Sequence, residues 1–277
     1  MPSPAPAHPI RLVVTDIDGT LVKHDRTLAA STIAAAARLR SAGVLLGLVS
    51  SRPAHGMDVL LGPLGIDTPR AGFNGGEILD IQNRLLRERT IPEAACRDAV
   101  AMLEAAGTDV WVFTGGEWLL KNPNAHYIPR EQLSISMPWR VVDDFAPYLA
   151  HVHKVMGTST DFALMGRMEQ DVRGKVGAAA AVHRSQDYYL DVTHPEANKG
   201  TASVALAELL GVPMQQVACL GDMPNDLPMF AACGFAIAMG NAPDAVKQHA
   251  AAITAGNDSD GWAQAIDTYV LPYAGRG

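Results

Sequence analysis

The chain has 277 residues, a formal net charge of −7 and 48% hydrophobic residues. That length allows one large or two ordinary domains with a sizeable core. The acidic balance, without any Lys/Arg run, excludes nucleic acid as a main partner. No stretch of about 18 uncharged apolar residues occurs, so no membrane span is expected.

Taken in chain order, residues 1–9 are rich in proline and read as a disordered leader with no signal-peptide pattern. Ile10–Thr15 is a short apolar run, and an Ala/Leu-rich helix then ends near Ala42-Gly43. Val44–Val49 is continuously apolar, as befits a parallel strand covered on both faces. Pro53 opens a further helix, and Ala71–Ile78 reads as strand, turn, strand. The character changes in the middle. Arg84–Arg89 is charged, Pro92–Ala106 is an amphipathic helix, and Asn122–Met137 is polar and irregular, with Pro123 and Pro129 as breakers. Strands are expected at Val110–Thr114, Glu117–Lys121, Lys154–Gly157, Asp161–Met165 and Asp187–Val192. From Lys199 the βα alternation resumes: a helix to Leu210, a strand at Val217–Leu220, a helix at Asn225–Cys233 and a strand at Phe235–Met239. Shorter elements follow, to a closing helix at Asp260–Tyr269.

This pattern predicts an α/β fold: a doubly wound, mostly parallel sheet formed by 10–83 and 193–277, with an α+β domain, 84–192, inserted into it. In such sheets ligands bind beyond the carboxyl ends of the strands. Asp16, Ser50, Asp222 and Asn241 each directly follow an apolar run, so they should meet at one edge.

The residues gathered there suit phosphoryl transfer. Asp16-Ile17-Asp18-Gly19-Thr20 puts two carboxylates two residues apart at a strand end. Asp16 is the candidate nucleophile, able to form an aspartyl-phosphate. Asp18 is the candidate general acid and base. The backbone N–H groups of Gly19 and Thr20 can cradle phosphate. Ser50 offers a hydroxyl to a phosphate oxygen, and Ser51 follows it, while Arg52 is a cation of undecided role. Lys199 opens a helix, where its charge opposes the dipole unless an anion offsets it, so it is expected to neutralise phosphate. Asp222, with Asp16 and the Asp18 carbonyl, supplies hard oxygens for Mg²⁺. Asn225 and Asp226 stand ready to orient ligands or water.

Other residues read as ordinary. The three cysteines, Cys96, Cys219 and Cys233, show neither CxxC pairing nor metal spacing and fit a reducing cytoplasm. His126, His151, His153 and His183 read as surface residues, and Trp111, Trp118 and Trp139 as interior of the inserted segment.

With Asn74-Gly75, Lys199-Gly200, Gly221-Asp222-Met223-Pro224-Asn225-Asp226 and Gly240-Asn241-Ala242, the set resembles the haloacid dehalogenase superfamily, in its Cof-type branch with a type IIB cap. The resemblance implies a Rossmann-like core, an α+β cap at 84–192 and a Mg²⁺-dependent phosphatase of a small phosphorylated metabolite. It assigns Asp16 as nucleophile, Asp18 as acid/base, Ser50 and Lys199 as phosphate ligands, and Asp16, Asp18 and Asp222 as metal ligands. One departure stands out: Ser50-Ser51-Arg52 replaces the usual Thr-Gly-Arg, so Ser51 lacks the backbone freedom of glycine. A sugar phosphomutase and a non-catalytic phosphometabolite-binding protein are the alternatives. Either a monomer or a homodimer is compatible with the sequence.

Overall fold

A computed structural model describes residues 5–135 and 137–275. Met1–Pro4 of the expected leader lie outside the described residues, and Ala5–Pro9 contain neither helix nor strand. The chain divides into two compact units, one formed by the residues up to Leu86 together with those from Asn198 onward, the other by Arg87–Ala197. The sequence placed these boundaries at 83/84 and 192/193. The units part later, at 86/87 and 197/198: β5 begins only at Leu85, and Thr193 ends a strand of the inserted sheet.

The first unit begins with β1 (Leu12–Thr15), α1 (Ala30–Ser41), β2 (Leu45–Val49), α2 (Asp58–Leu64), β3 (Arg70–Gly72), β4 (Glu77–Leu79) and the first half of β5 (Leu85–Glu88), whose Arg87 and Glu88 belong to the inserted unit. The inserted unit holds α3 (Glu93–Ala105), β6 (Asp109–Thr114), β7 (Glu117–Leu120), α4 (Ile128–Ile135), β8 (Trp139–Val141), β9 (Val152–Thr158), α5 (Phe162–Val176), β10 (Ala181–Gln186) and β11 (Tyr189–Thr193). The first unit then resumes with α6 (Lys199–Leu209), β12 (Val217–Gly221), α7 (Leu227–Ala232), β13 (Phe235–Ala238), α8 (Asp244–Lys247), β14 (Ala252–Ile253) and α9 (Gly261–Ala265).

The first sheet has the order β14-β13-β12-β1-β2-β3-β4-β5. Its central pairs are parallel, with Leu12 opposite both Leu45 and Val217, while β3 and β4 form an antiparallel hairpin. Side chains of β1 alternate between two apolar layers. Val13 joins Leu39, Leu48, Leu220 and Trp262 on one face; Leu12 and Val14 join Ala202, Leu206 and Met229 on the other. Helices thus cover both faces, as continuous apolar strands require.

The inserted sheet has the order β10-β11-β9-β6-β7-β8 and is antiparallel except at β7–β8. Leu103 of α3 and Val172 of α5 pack with Val112, Val155 and Leu190 on one face. Trp111, Phe113 and Trp118 are fully buried among themselves, with Trp111 and Trp118 edge-to-face at 5.2 Å.

Three expectations for this unit are overturned. Asp161–Met165 is not a strand: the Asp161 side chain accepts the Leu164 N–H at 2.9 Å and caps α5, whose Met165, Met168, Val172 and Val176 turn inward at helical spacing. Asn122–Met137 is not wholly irregular either. Pro129 sits in the first turn of α4, where a missing N–H costs nothing. His153 is buried rather than exposed, with its Nε2 3.0 Å from Glu88 Oε1.

Candidate active site

Strand ends of the first sheet carry the chemistry. Asp16 follows β1, Ser50 follows β2, Asp222 follows β12, and Lys199 is the first residue of α6. Asn198 caps that helix by accepting the Thr201 N–H at 3.0 Å, which anchors Lys199. The Lys199 ammonium is fully buried and lies 2.7 Å from Asp16 Oδ1 and 2.5 Å from Asp226 Oδ1. Asp226, at 0% exposure, uses its other oxygen to accept the N–H groups of Asp222 and Met223, each at 2.8 Å. It thereby shapes the turn that presents Asp222.

Asp16, Asp222 and Asp226 offer carboxylate oxygens within 4.8 Å of one another. Their electrostatics are unbalanced. Burial pushes the Asp16 carboxyl well above its ordinary value; Lys199 opposes this, while Asp226 and Asp222 add to it. Burial and Asp226 push Asp222 up to about 6, against the Thr20 hydrogen bond and Lys199. Burial alone would lower Lys199, but Asp16 and Asp226 outweigh it and hold the ammonium charged. Three buried carboxylates thus share one cation. A divalent ion would offset that deficit, and hard oxygen donors are the ligands it prefers. The donor set fits Mg²⁺.

Gly19 has φ +77°, and a Cβ there would lie 2.3 Å from Asp222 Oδ2, so only glycine lets the loop approach the carboxylate. Thr20 departs from the expected phosphate cradle. Its N–H is committed to the Ile17 carbonyl, and its hydroxyl donates to Asp222 Oδ1 at 3.1 Å. It therefore serves Asp222.

Ser50 Oγ accepts the Arg52 N–H at 3.1 Å, which leaves the hydroxyl proton for another acceptor. Ser51 is exposed. Arg52 is almost wholly buried, and its guanidinium meets both oxygens of Asp18, at 2.7 and 2.5 Å. Asn74 donates its N–H to the Ser50 carbonyl at 2.7 Å, and both Phe73 and Asn74 have positive φ. Two such residues in succession mark stored strain, held here by the Ser50 loop. Gly75, at φ +102°, packs against Ala202 of α6. Asn225 is exposed in the turn ahead of α7.

Two further contacts belong to the site: the sequence placed Asn241 at this edge without giving it a partner, and it gave Trp262 no place there. Asn241 donates to the Gly19 carbonyl at 2.9 Å and to Asp222 Oδ2 at 3.1 Å, while its own oxygen accepts the Asn257 N–H. Its position just beyond the end of β13 was the signal. Trp262 donates to Thr15 Oγ1 at 3.0 Å, and Thr15 in turn donates to the Asp16 carbonyl at 2.8 Å. No local pattern announces that relay.

Comparison with known proteins shows the family. A family model described as haloacid dehalogenase-like hydrolase matches residues 13–266. The chain is 27% identical to the pyridoxal phosphate phosphatase of Escherichia coli, covering 94% of this chain and 99% of that one. A haloacid dehalogenase-like hydrolase from Bacteroides thetaiotaomicron superposes with TM-score 0.87 at 27% identity, covering 93% and 98% of the two chains. A subclass IIB sugar phosphatase shares the fold, with TM-score 0.81 at 21% identity over 94% and 99%.

Proposed function

We infer the reaction from family and geometry together: the chain belongs to the haloacid dehalogenase-like hydrolases, and it is a phosphatase of small phosphorylated metabolites. Beyond that membership, we propose that hydrolysis is Mg²⁺-dependent and passes through a phosphorylated Asp16. The observation that carries this reading is the buried set of Asp16, Asp222 and Asp226 around one ammonium.

In this reading Asp16 attacks phosphorus, and the phosphorus–oxygen bond to the leaving group breaks. Asp18 gives that oxygen a proton, then takes one from the water that cleaves the aspartyl-phosphate. Lys199 orients Asp16 and, with the Ser50 hydroxyl, holds phosphate oxygens. Asp16, Asp222 and the Asp18 carbonyl would hold the metal, and Asp226, Thr20 and Asn241 fix Asp222 from behind. When bound, Mg²⁺ supplies charge neutralisation that lets one anion approach another. Ser51 and Asn225 border the phosphate position, and Asn74 with Gly75 brace the Ser50 loop.

The relatives named above act on a cofactor phosphate and on sugar phosphates by their names. We propose a phosphate monoester of that size for this chain. All three cysteines are free, and among the described residues no helix is long and apolar enough to cross a membrane. The free cysteines support a cytoplasmic enzyme.

The test is phosphate release from a panel of phosphorylated metabolites with Mg²⁺, wild type beside Asp16→Asn. Turnover by the wild type and none by the variant is expected. No release from any compound by folded, metal-loaded wild type would sink the phosphatase mechanism in favour of a mutase or a binding protein.

A further inference from the structure

Arg52 and Asp18 form a pair with an unequal hold on its two members. The guanidinium side is 9% exposed and the carboxylate side 47%. The Arg52 backbone is pinned in both directions: its N–H donates to Ser50 Oγ at 3.1 Å, and its carbonyl accepts the Phe73 N–H at 2.8 Å. Only the side chains are free to rearrange. Asp18 can swing into water at little cost. A buried guanidinium cannot shed its charge and must keep an anion.

The present arrangement engages the carboxylate on which the work assigned to Asp18 above depends. Both of its oxygens accept from Arg52, so turning one fully to a leaving group means giving up part of that pairing. If Asp18 departs, another anion must take the guanidinium. The Lys199 ammonium already serves Asp16 and Asp226. Arg52 lies two residues beyond Ser50, and a phosphate presents two oxygens that match the fork of a guanidinium.

Resting on the phosphatase reading, we propose that Arg52 is an exchange residue with two alternative partners. Without substrate it parks the Asp18 carboxylate. On substrate binding the phosphate group takes over the guanidinium and frees Asp18 to turn toward the leaving oxygen. Phosphate capture and release of the acid/base group are then one event. Arg52 is a positioning residue for Asp18 as well as a phosphate ligand.

The test is a double-mutant cycle read by binding: calorimetric affinity for inorganic phosphate with Mg²⁺ present, for wild type, D18N, R52A and the double variant. Removing the competing carboxylate should tighten phosphate binding about tenfold when Arg52 is present and less than about twofold in the R52A background, a coupling within the range seen for residues in contact. R52A alone should weaken phosphate binding. A thermal melt checks folding. Should R52A not fold, R52K replaces it, because lysine keeps the charge without the fork, and the D18N gain should fall below about threefold there. An equal D18N gain in both backgrounds would mean simple charge relief and overturn the exchange. Unchanged phosphate affinity in R52A would overturn it too. Turnover and phosphate binding by the wild type without coupling would defeat the exchange alone. Neither turnover nor phosphate binding by the wild type would defeat the phosphatase reading and the exchange with it.

Discussion

Both units bury charge, and they do so in opposite ways. In the inserted unit Lys154 and Asp191 lie 3.1 Å apart on adjacent strands, 8% and 5% exposed, one cation to one anion. In the first unit Lys199 faces Asp16 and Asp226, with Asp222 beside them. The first pair is complete in itself. The second cluster is anionic and calls for something from outside. Burial marks both places, but only the imbalance of charge separates a site that waits for a ligand from one that holds a sheet together.

The most severe way to break this contrast is to remove the one cation of the anionic cluster. Lys199→Met should cost about 3–5 kcal/mol, since it leaves buried carboxylates without a partner. Urea unfolding without metal measures it, and added Mg²⁺ should restore part of the loss. An unchanged midpoint would mean that the carboxylates are already neutral.

The balanced pair should behave differently. Lys154→Met should cost about 3 kcal/mol by leaving Asp191 uncompensated, and Lys154→Met with Asp191→Leu should recover most of it. A double variant as unstable as the single one would show that the pair does more than cancel its own charge.

The pH dependence sharpens the comparison further. Asp222 is raised from 3.8 to about 6 in the folded, metal-free protein. The folded state therefore holds the proton more tightly than the unfolded one. That contribution is fully present below pH 3.8 and is lost as pH rises through about 6, an amount of about 3 kcal/mol. Metal-free wild type should lose this stability over that window, and Asp222→Asn should not. Conversely, the rise in Tm with excess Mg²⁺ should be large at pH 7.5, shrink below pH 6 and be absent in Asp222→Asn.

The smallest effect lies on the surface of the inserted unit. Burial is the largest single influence on Glu169 and raises it, but the hydrogen bonds and charges of Arg184 and Arg173 together outweigh it and lower the carboxyl from 4.5. The stabilisation is present above pH 4.5 and disappears as pH falls through the lowered value. Glu169→Gln should cost about 0.5–1 kcal/mol at pH 7 and nothing near pH 3, compared by thermal melts.

The parts of the molecule readable from sequence are those written locally. The D-x-D-G-T segment, the helix start at Lys199 and the Gly-Asp turn after β12 each place their chemistry within a few residues of a strand end. Parallel strands then bring them together. The inserted unit was less legible. Phe162-Ala163-Leu164-Met165 is apolar enough to imitate a strand, and its helical nature rests on one cap at Asp161 and on inward residues that extend to Val176. The edge strand β10 is mostly exposed and polar, so it lacks an apolar alternation to find. In the site, the partners that sequence reading missed are the distant ones. Thr20 and Asp222 are 202 positions apart, and Gly19 and Asn241 are 222 apart. The role of Arg52 stayed undecided because nothing near it in the chain announces Asp18.

The contact between Trp262 and Thr15 joins residues 247 positions apart, and Thr15 in turn holds the carbonyl of Asp16. A chain emerging from the ribosome therefore makes Asp16 well before the indole that braces it. Until Trp262 has been made and has reached Thr15, the carbonyl of Asp16 is held by a hydroxyl with nothing fixed behind it.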